Sequence, residues 1–423
     1  MSEERSGTEM HSGQFRLLGQ RRFAPLFFTQ FLGAFNDIAG LGFETRAIHA
    51  VQVPDPSTGA VVTPLFLTST FAQSAPGVHQ GYEYSRSHNP TRGAYETCVA
   101  NLEGARFGFA FASGCVGATT VMHLLSSGDH VVCCDDMYGG TLRLFERIFR
   151  KLGISFDYLD LSEPEALKGA IRPNTKLLWL ESPTNPLMKL VDIRALSEIA
   201  HASGMKVMVD NIFMSPYFQR PLELGADMVL HSSTKYINGH SDLIGGVVIT
   251  YDVELANDLR FTANAIGGVQ ATLDAWLCLR SLKTLAVRMQ AHERNAAAVA
   301  SYLESHPRVK RVMYPGLPSH PQHALARRQM TGFGGMLAME LDGDLEGAKR
   351  FLSATCIFTL AESLGGVESL IEHPAIMTHA SVPKAVREKT RYRRWPHPCQ
   401  RWHRDVRRSH RGSGRGARSD LIK

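Results

Sequence analysis

Short apolar runs alternate with amphipathic stretches from about residue 42 to residue 389, and this alternation is the strongest constraint on the fold. Each apolar run has the length of a buried strand. The stretch 192–202 has helical periodicity and is followed by Gly204, a common helix stop. Strand–helix–strand order at this spacing predicts an α/β fold, with a mostly parallel sheet covered by helices on both faces. The apolar runs are HVVCCDD at 130–136, KLLWLES at 176–182, KVMVDN at 206–211 and DMVLHSSTK at 227–235.

Composition and charge narrow the class of protein. The chain has 423 residues, of which 44% are hydrophobic and 20% charged, as in a soluble protein of one or two domains. Seven cysteines without a CxxC pair favour reduced thiols and a cytoplasmic location. The formal net charge of +6 arises at the C-terminus, because residues 390–423 carry +9 and the remaining 389 residues sum to −3. The body of the chain therefore gives no indication of nucleic-acid binding.

Polar side chains follow several of the predicted strands, at the sheet edge where ligands bind in such folds. Asp210 ends one strand, and a buried carboxylate there requires a partner. The next strand leads into Ser232, Thr234 and Lys235, a set of hydroxyls and an amine that suits a phosphate group. Upstream, the Ser-Gly turn at 113–114 opens an apolar helix whose free amides form a second phosphate-binding element.

These parts together match the requirements of pyridoxal phosphate. A lysine binds its aldehyde, and a carboxylate keeps its pyridine nitrogen protonated because an opposite charge raises the pKa of a base. Asp210 and Lys235 lie 25 residues apart, on either side of a predicted helix crossover. Each part is common by itself, but their combination in this order predicts a pyridoxal-phosphate site.

Seven motifs occur in order along the chain, namely GYEYSRSHNPTR, DDMYGGTLR, ESPTNP, VDN, SSTKYINGHSD, YPGLPSHPQH and FTLAESLGGVESL. With these motifs the sequence resembles the Cys/Met-metabolism family of pyridoxal-phosphate enzymes, and within it the cystathionine γ-lyases and γ-synthases. The resemblance spans residues 42–389. It implies fold-type I, a large domain at 41–285 with an N-terminal arm to about 65, and a smaller, truncated α+β domain at 286–389.

The resemblance also implies roles in cofactor binding. Lys235 would form the Schiff base and carry protons between substrate carbons, Asp210 would pair with the pyridine nitrogen, and Tyr138 would stack on the ring and assist proton transfer. Asn185 would contact the ring hydroxyl. The residues implied to hold the phosphate are Gly114, Cys115, Ser232 and Thr234 and, from a neighbouring subunit, Tyr84 and Arg86.

The implied substrate contacts involve fewer residues. Ser363 would help to hold the substrate carboxylate, Glu362 would lie near the far end of the substrate, and Arg143 would lie near an acidic group. Because Tyr84 and Arg86 would serve a neighbouring subunit, the resemblance implies a dimer at least and favours a homotetramer. It implies an amino-acid thioether as substrate, with no nucleic acid or membrane as partner.

Both ends of the chain depart from the family. Residues 1–40 form an atypical extension whose apolar run at 22–37 is too short to span a bilayer, so it indicates an appended segment or, alternatively, an amphipathic surface anchor. The family continues into a strand with a carboxylate-binding arginine, whereas residues 390–423 are rich in arginine and predict disorder. An out-of-frame C-terminus, with weakened turnover, is one hypothesis for this difference.

The sequence also supports three expectations about individual side chains. Arg288 and His292 are expected on the solvated face of a long helical stretch at 273–306. Glu181 could balance a cation at a strand end. Ile212 occupies a position where the family commonly has threonine, which removes one hydroxyl near the cofactor.

Three functions remain open at this level. The first is a γ-lyase that converts cystathionine to cysteine, 2-oxobutanoate and ammonia, which Glu362 favours. The second is a cystathionine γ-synthase or O-acylhomoserine sulfhydrylase, in which an activated homoserine ester undergoes γ-replacement. The third is a catalytically impaired pyridoxal-phosphate-binding protein that lacks the C-terminal arginine strand.

Overall fold

The computed structural model describes residues 42–50 and 52–378, together with the backbone of 398–402. The predicted extension at 1–40 and the other residues of the arginine-rich stretch at 390–423 lie outside this range. Within it the chain forms two β-sheets, each packed against helices.

The first sheet has seven strands in the order β1-β7-β6-β5-β4-β2-β3. Strand β7 runs antiparallel to both of its neighbours, and the other pairs are parallel. This confirms the predicted mostly parallel sheet. Its strands are β1 (Phe107–Phe111), β2 (His130–Cys134), β3 (Ser155–Leu159), β4 (Thr175–Glu181), β5 (Lys206–Asp210), β6 (Met228–His231) and β7 (Gly246–Thr250).

Helices connect these strands and bury their apolar side chains against the sheet. All five residues of β2 and of β7 are buried, as expected for strands covered on both faces. The helices of this part of the chain are α1 (Phe43–His49), α2 (Pro90–Leu102), α3 (Gly114–Met122), α4 (Gly139–Arg147), α5 (Glu165–Lys168), α6 (Ile193–Ala202), α7 (Ser215–Phe218), α8 (Val253–Ile266) and α9 (Thr272–Leu282).

The second sheet has five strands in the order β10-β11-β12-β9-β8. This sheet follows helix α10 (Leu285–Glu304) in the chain. The predicted boundary between the two domains, at residues 285 and 286, lies at the start of this helix. The remaining elements are β8 (Val309–Met313), α11 (His323–Gln329), β9 (Leu337–Leu341), α12 (Leu345–Ser353), β10 (Thr359–Leu360), β11 (Leu370–Glu372) and β12 (Pro398–Trp402).

Strand β12 differs from the disorder predicted for residues 390–423. It lies between β9 and β11 and pairs with both in antiparallel register, with Arg401 opposite Ile371 and Leu337. Strand pairing uses backbone N–H and C=O groups, which an arginine-rich segment also has. Its only proline, Pro398, is the first residue, where a missing N–H is tolerated. Composition alone therefore gave the wrong prediction for these five residues.

Candidate active site

A cavity of about 320 Å³ opens beyond the carboxyl ends of strands β4, β5 and β6, where a parallel sheet binds its ligands. Residues from the second sheet and its loops close one side of it. Ten of the residues predicted for the site line this cavity, namely Gly114, Cys115, Tyr138, Asn185, Asp210, Ser232, Thr234, Lys235, Glu362 and Ser363.

One end of the cavity combines a helix N-terminus with two hydroxyls. Ser113 caps helix α3, since its side chain accepts a hydrogen bond from the amide of Val116 at 3.2 Å. A Cβ on Gly114 would lie 3.4 Å from the Cβ of Ser232, so the start of the helix faces the Ser232–Thr234 segment at close range. The hydroxyls of Ser232 and Thr234 donate to the carbonyl of Gly245 in this structure, at 3.3 and 3.2 Å. The amides at the start of the helix, and these hydroxyls after rotation, provide donors for a phosphate group.

The floor of the cavity contains two adjacent buried carboxylates. Asp210 and Glu181 are paired across strands β5 and β4 and are 3% and 5% exposed. Burial raises the pKa of Asp210 to about 7, although the amide of Ile212, at 3.1 Å from Oδ1, and the charge of His231 oppose the shift. Burial and the charge of Asp210 raise the pKa of Glu181 well above its usual value. Among the described residues no salt bridge reaches either carboxylate, so Glu181 does not balance a cation there.

Lys235 lies at a kink in the turn Ser233–Ile237, directly after β6. Its Nζ donates a hydrogen bond to Ser363 Oγ at 2.9 Å. Burial lowers the pKa of the Lys235 amine, an effect that the nearby charge of Glu372 opposes. Because the amine is buried, its neutral form is more accessible than in water.

The loop that carries Ser363 is packed tightly against Lys235. Ser363 has φ of 144°, a strained conformation for a residue with a side chain. A Cβ on Gly365 would lie 2.7 to 3.2 Å from the backbone of Lys235 and Tyr236, so only glycine fits there. This contact fixes the Ser363 hydroxyl beside the lysine amine.

Tyr138 precedes helix α4, and its amide donates to Glu181 Oε2 at 2.9 Å. A Cβ on Gly140 would lie 2.3 to 3.0 Å from the Tyr138 ring, so the ring folds back over this glycine. Burial raises the pKa of the Tyr138 hydroxyl. The phenol is therefore protonated at neutral pH and can donate a proton into the cavity.

The sequence did not indicate the place of Glu372, and it gave the wrong exposure for Arg288 and His292. Glu372, at the end of β11, lines the cavity at 4% exposure, accepts a hydrogen bond from Thr378 at 2.8 Å, and has its pKa raised to about 7 by burial. Arg288 and His292 were expected on a solvated face, but both are buried. The guanidinium of Arg288 donates to the carbonyls of Tyr236 and Ile237, at 2.6 and 3.2 Å, and so holds the turn that follows Lys235.

The expected long helix at 273–306 is two helices, α9 and α10, which meet at Lys283 and Thr284. Arg288 and His292 lie on the buried side of α10, together with Leu285, Met289 and Ala296. The expected solvated face was therefore wrong for both residues.

Three predicted residues do not line the cavity of this single chain. Arg143 is exposed on helix α4, although its charge lowers the pKa of the Tyr138 hydroxyl and of the Cys115 thiol. Tyr84 is 45% exposed, and the guanidinium of Arg86 lies 5.7 Å above its ring. The contact of Tyr84 and Arg86 with a neighbouring subunit stays a prediction.

Comparison with known proteins identifies the family. The sequence profile of the family described as "Cys/Met metabolism PLP-dependent enzyme" matches residues 44–393, most of the chain. The chain belongs to this family. The family is dependent on pyridoxal phosphate (PLP), as the strand-end residues predicted.

Individual relatives agree in fold and differ in the reaction for which they are named. The chain is 57% identical to a cystathionine β-lyase from Coxiella burnetii, over 82% of this chain and 90% of that protein. It is 53% identical to a cystathionine γ-lyase from Dictyostelium discoideum, over 82% and 89%. A solved cystathionine γ-synthase from Xanthomonas oryzae pv. oryzae, in complex with aminoacrylate and cysteine, matches with a TM-score of 0.83 and 42% identity, over 85% and 93%.

The residues that line the cavity fit PLP, the cofactor on which the family depends. Asp210 and Glu181 form a buried acidic floor that a protonated ring nitrogen would neutralise. The start of helix α3, with Ser232 and Thr234, would hold the phosphate. Lys235 stands within the same cavity to receive the aldehyde. No described helix is both long and apolar enough to cross a bilayer.

The buried carboxylates predict how the stability of the cofactor-free protein depends on pH. The pKa of Asp210 rises from 3.8 to about 7 on folding and that of Glu372 from 4.5 to about 7. Between about pH 4 and about pH 7 the folded protein thus retains protons that the unfolded chain releases, so stability falls as pH rises. We expect a lower melting temperature at pH 8 than at pH 5, with a smaller decrease in Asp210→Asn. An equal decrease in both proteins would show that Asp210 does not titrate in this range.

Proposed function

We propose that this chain catalyses PLP-dependent γ-elimination, in which cystathionine and water give cysteine, 2-oxobutanoate and ammonia. The observation that carries the proposal is the placement of a buried, partly desolvated lysine amine and a buried acidic floor in one cavity, with Lys235 Nζ 2.9 Å from Ser363 Oγ. Glu362 at the rim favours a substrate with a second amino-acid end, because a carboxylate there can pair with a distal ammonium group.

The reaction needs proton transfers at two substrate carbons before sulfur leaves. PLP, when bound, supplies a sink for the electrons released at the substrate α-carbon. The neutral amine of Lys235 removes the α-proton, and burial makes this form available because it lowers the pKa of the amine. The long, flexible stem of a lysine then lets one amine serve the neighbouring β-carbon as well.

Three further residues, Asp210, Tyr138 and Ser363, would act on the cofactor ring, the departing sulfur and the lysine amine. The Asp210 carboxylate keeps a positive charge on the ring nitrogen, which makes the electron sink effective. The protonated Tyr138 phenol can donate to the departing sulfur, since burial raises its pKa. Ser363 accepts a hydrogen bond from the Lys235 amine and, in this proposal, would also bind the substrate carboxylate.

Product analysis tests this proposal directly. Purified protein with PLP is incubated with cystathionine, and the keto acid and the thiol are identified by mass spectrometry. We expect 2-oxobutanoate with cysteine. Pyruvate with homocysteine would instead assign β-elimination, the reaction for which the Coxiella relative is named.

The named γ-synthase relative supports a second candidate, γ-replacement on the same scaffold. In that reaction an acylated homoserine loses its acyl group, and the thiol of cysteine takes its place. O-acylhomoserine sulfhydrylation is the same chemistry with sulfide. Incubation with an acylated homoserine and cysteine distinguishes this candidate, because a synthase forms cystathionine faster than it degrades it.

A third candidate is a PLP-binding protein with impaired catalysis, based on the expected absence of the C-terminal arginine strand. Strand β12 occupies a central place in the second sheet, and Arg401 is one of its residues. A comparison of this chain with a variant whose segment from residue 390 follows the γ-lyase relatives tests this candidate. Much higher keto-acid release by the variant would support impairment, and equal release would remove it.

Glu362 provides a test of substrate choice. Because a charge-assisted hydrogen bond contributes about 1.5–3 kcal/mol, we expect Glu362→Gln to raise the KM for cystathionine roughly tenfold to hundredfold. An acylated homoserine has no distal ammonium group, so its KM is expected to change little. Glu368→Gln is the matched control, since Glu368 is exposed on the same loop and bonds to Ser241. Equal effects on both substrates would exclude Glu362 as a distal contact.

We further propose a cytoplasmic homo-oligomer, a dimer at least and by resemblance a tetramer, with sites shared between subunits. Exposed apolar residues in the N-terminal arm and in the segment that follows it support this, among them Val61, Leu67 and Tyr84. Mixing inactive Lys235→Ala and Arg86→Ala proteins tests the shared site. Recovery of activity after subunit exchange is expected, and no recovery in demonstrated hetero-oligomers would contradict it.

A further inference from the structure

The turn that carries Lys235 is joined to helix α10 by the side chain of Arg288. Arg288 is 8% exposed, and its guanidinium donates four hydrogen bonds within the described residues. Two of them reach the turn, at 2.6 Å to the carbonyl of Tyr236 and 3.2 Å to that of Ile237. The other two reach the carbonyl of Ser281 at 3.0 Å and Thr284 Oγ1 at 3.2 Å, where α9 and α10 meet. One planar cation therefore connects this helix junction to the two residues that follow the lysine.

The backbone bends at Lys235, next to these contacts. Lys235 has φ of −94° and ψ of −134°, which is not helical, although it lies within the turn Ser233–Ile237. Its carbonyl accepts a hydrogen bond from the amide of Gly239 at 2.7 Å. The carbonyls of residues 235, 236 and 237 are thus held in succession, the first by Gly239 and the next two by Arg288.

A glycine permits this close approach and also connects the turn to the loop that carries Ser363. Gly239 has φ of 73°, and a Cβ there would overlap the guanidinium of Arg288. The carbonyl of Gly239 accepts a hydrogen bond from the amide of Val367 at 3.0 Å. Arg288 and the Ser363 loop therefore both hold the turn whose lysine amine lies 2.9 Å from Ser363 Oγ.

We propose that Arg288 is a positioning residue for Lys235: its fork of N–H donors fixes the turn, so that the amine meets the PLP aldehyde and the substrate carbons at the correct distance and angle. This inference rests on the proposed role of Lys235 in the reaction. Arg288 is not among the residues that line the cavity, so it acts through the turn and not by contact with PLP or substrate.

The bonding of Arg288 distinguishes its fork of donors from its charge. Within the described residues other arginines form salt bridges with carboxylates, whereas Arg288 donates to backbone carbonyls and one hydroxyl. Burial lowers the pKa of Arg288 to about 10, so the side chain is charged at neutral pH. A lysine at this position would keep the charge, but a single ammonium group lacks the planar fork that reaches both the turn and the helix junction. Arg288→Lys therefore removes the fork and keeps the charge.

The test measures the orientation of bound PLP separately from turnover. In Arg288→Lys with saturating PLP, we expect a weaker circular dichroism of the visible PLP band, because a looser turn holds the cofactor less uniformly. We expect kcat for 2-oxobutanoate release to fall about 10- to 100-fold with little change in KM, since a displacement of about 1 Å can cost 10²-fold. Borohydride reduction is still expected to label Lys235.

The matched control is Arg46→Lys, because the guanidinium of Arg46 also donates to a backbone carbonyl, that of Asn101 at 2.7 Å, outside the cavity. In this variant we expect wild-type dichroism and kcat. A purely structural role for Arg288 predicts a lower melting temperature in Arg288→Lys, with dichroism and kcat unchanged well below that temperature. That result would overturn the inference.

A second variant covers the case in which Arg288→Lys does not fold. Thr284→Val keeps the shape of the side chain but removes the hydroxyl that accepts from Arg288 Nε and donates to the carbonyl of Ser281. We expect a smaller decrease in both dichroism and kcat, and no decrease in either would overturn the inference. If the dichroism of the variants changes as expected while the wild-type protein releases no 2-oxobutanoate, the inference is supported and the proposed function alone is contradicted.

Discussion

Replacement of Lys235 with alanine is expected to lower the rate of 2-oxobutanoate release by about 10²- to 10⁴-fold, the contribution typical of a positioned general base. Lys235 is the amine that lines the cavity within the described residues, and its Nζ is fixed by Ser363 at 2.9 Å. Its flexible four-carbon stem lets the amine reach two neighbouring substrate carbons. The measurement is steady-state keto-acid release with saturating PLP.

Lys235→Arg separates a chemical role from a structural one. Arginine keeps the positive charge and much of the volume but does not lose its proton at neutral pH, so we expect this variant to be as inactive as the alanine variant. Lys206→Ala is the control, since Lys206 is a half-exposed lysine that pairs with Asp227 and Asp252 outside the cavity. Substantial turnover by Lys235→Arg would contradict the assigned role.

Asp210→Asn is expected to lower turnover by about 10²- to 10³-fold, a range known for the loss of one preorganised electrostatic contact. Asparagine has almost the same shape, so the cavity is retained, but it does not hold a positive charge on the ring nitrogen. PLP is expected to bind more weakly for the same reason. Keto-acid release and PLP affinity by fluorescence are the two measurements.

The control for Asp210 is Asp136→Asn. Asp136 is also a buried aspartate whose pKa burial raises to about 7, but it bonds to Thr184 and to the amide of Leu187 and does not line the cavity. We expect this change to lower turnover less than tenfold. Equal losses in both variants would indicate a general effect of removing buried carboxylates.

The local chemistry of the site could be predicted from the sequence because each part lies at the end of a recognisable strand. Asp210 follows the apolar run KVMV, and Lys235 follows MVLH, so strand prediction and buried-charge arguments apply to both. Parallel strand order then places both residues at one edge of the sheet. The computed structure brings them into one cavity.

Residues that depend on tertiary contacts could not be predicted in this way. Glu372 enters the cavity from the second sheet, and nothing near it in the sequence indicates that. His231 meets Glu103 across 128 positions. The guanidinium of Arg288 meets the carbonyls of Tyr236 and Ile237, which lie 52 and 51 positions earlier in the sequence.

The prediction for β12 was wrong for a different physical reason. Composition predicts whether a segment can bury its own apolar surface, but β12 is accommodated between two existing strands. Backbone pairing is then available to a sequence that would not form a sheet by itself. The contacts of Tyr84 and Arg86 stay predictions, because they require a second subunit.

The most direct test of the central claim is to locate the attachment point of PLP. The protein loaded with PLP is reduced with borohydride and digested, and the peptide that carries the phosphopyridoxyl group is sequenced by mass spectrometry. We expect the label on Lys235, in the tryptic peptide 207–260, because trypsin cleaves neither the Arg220–Pro221 bond nor the chain after a modified lysine. A label on Lys189 or another lysine, or no label after reduction, would contradict the account.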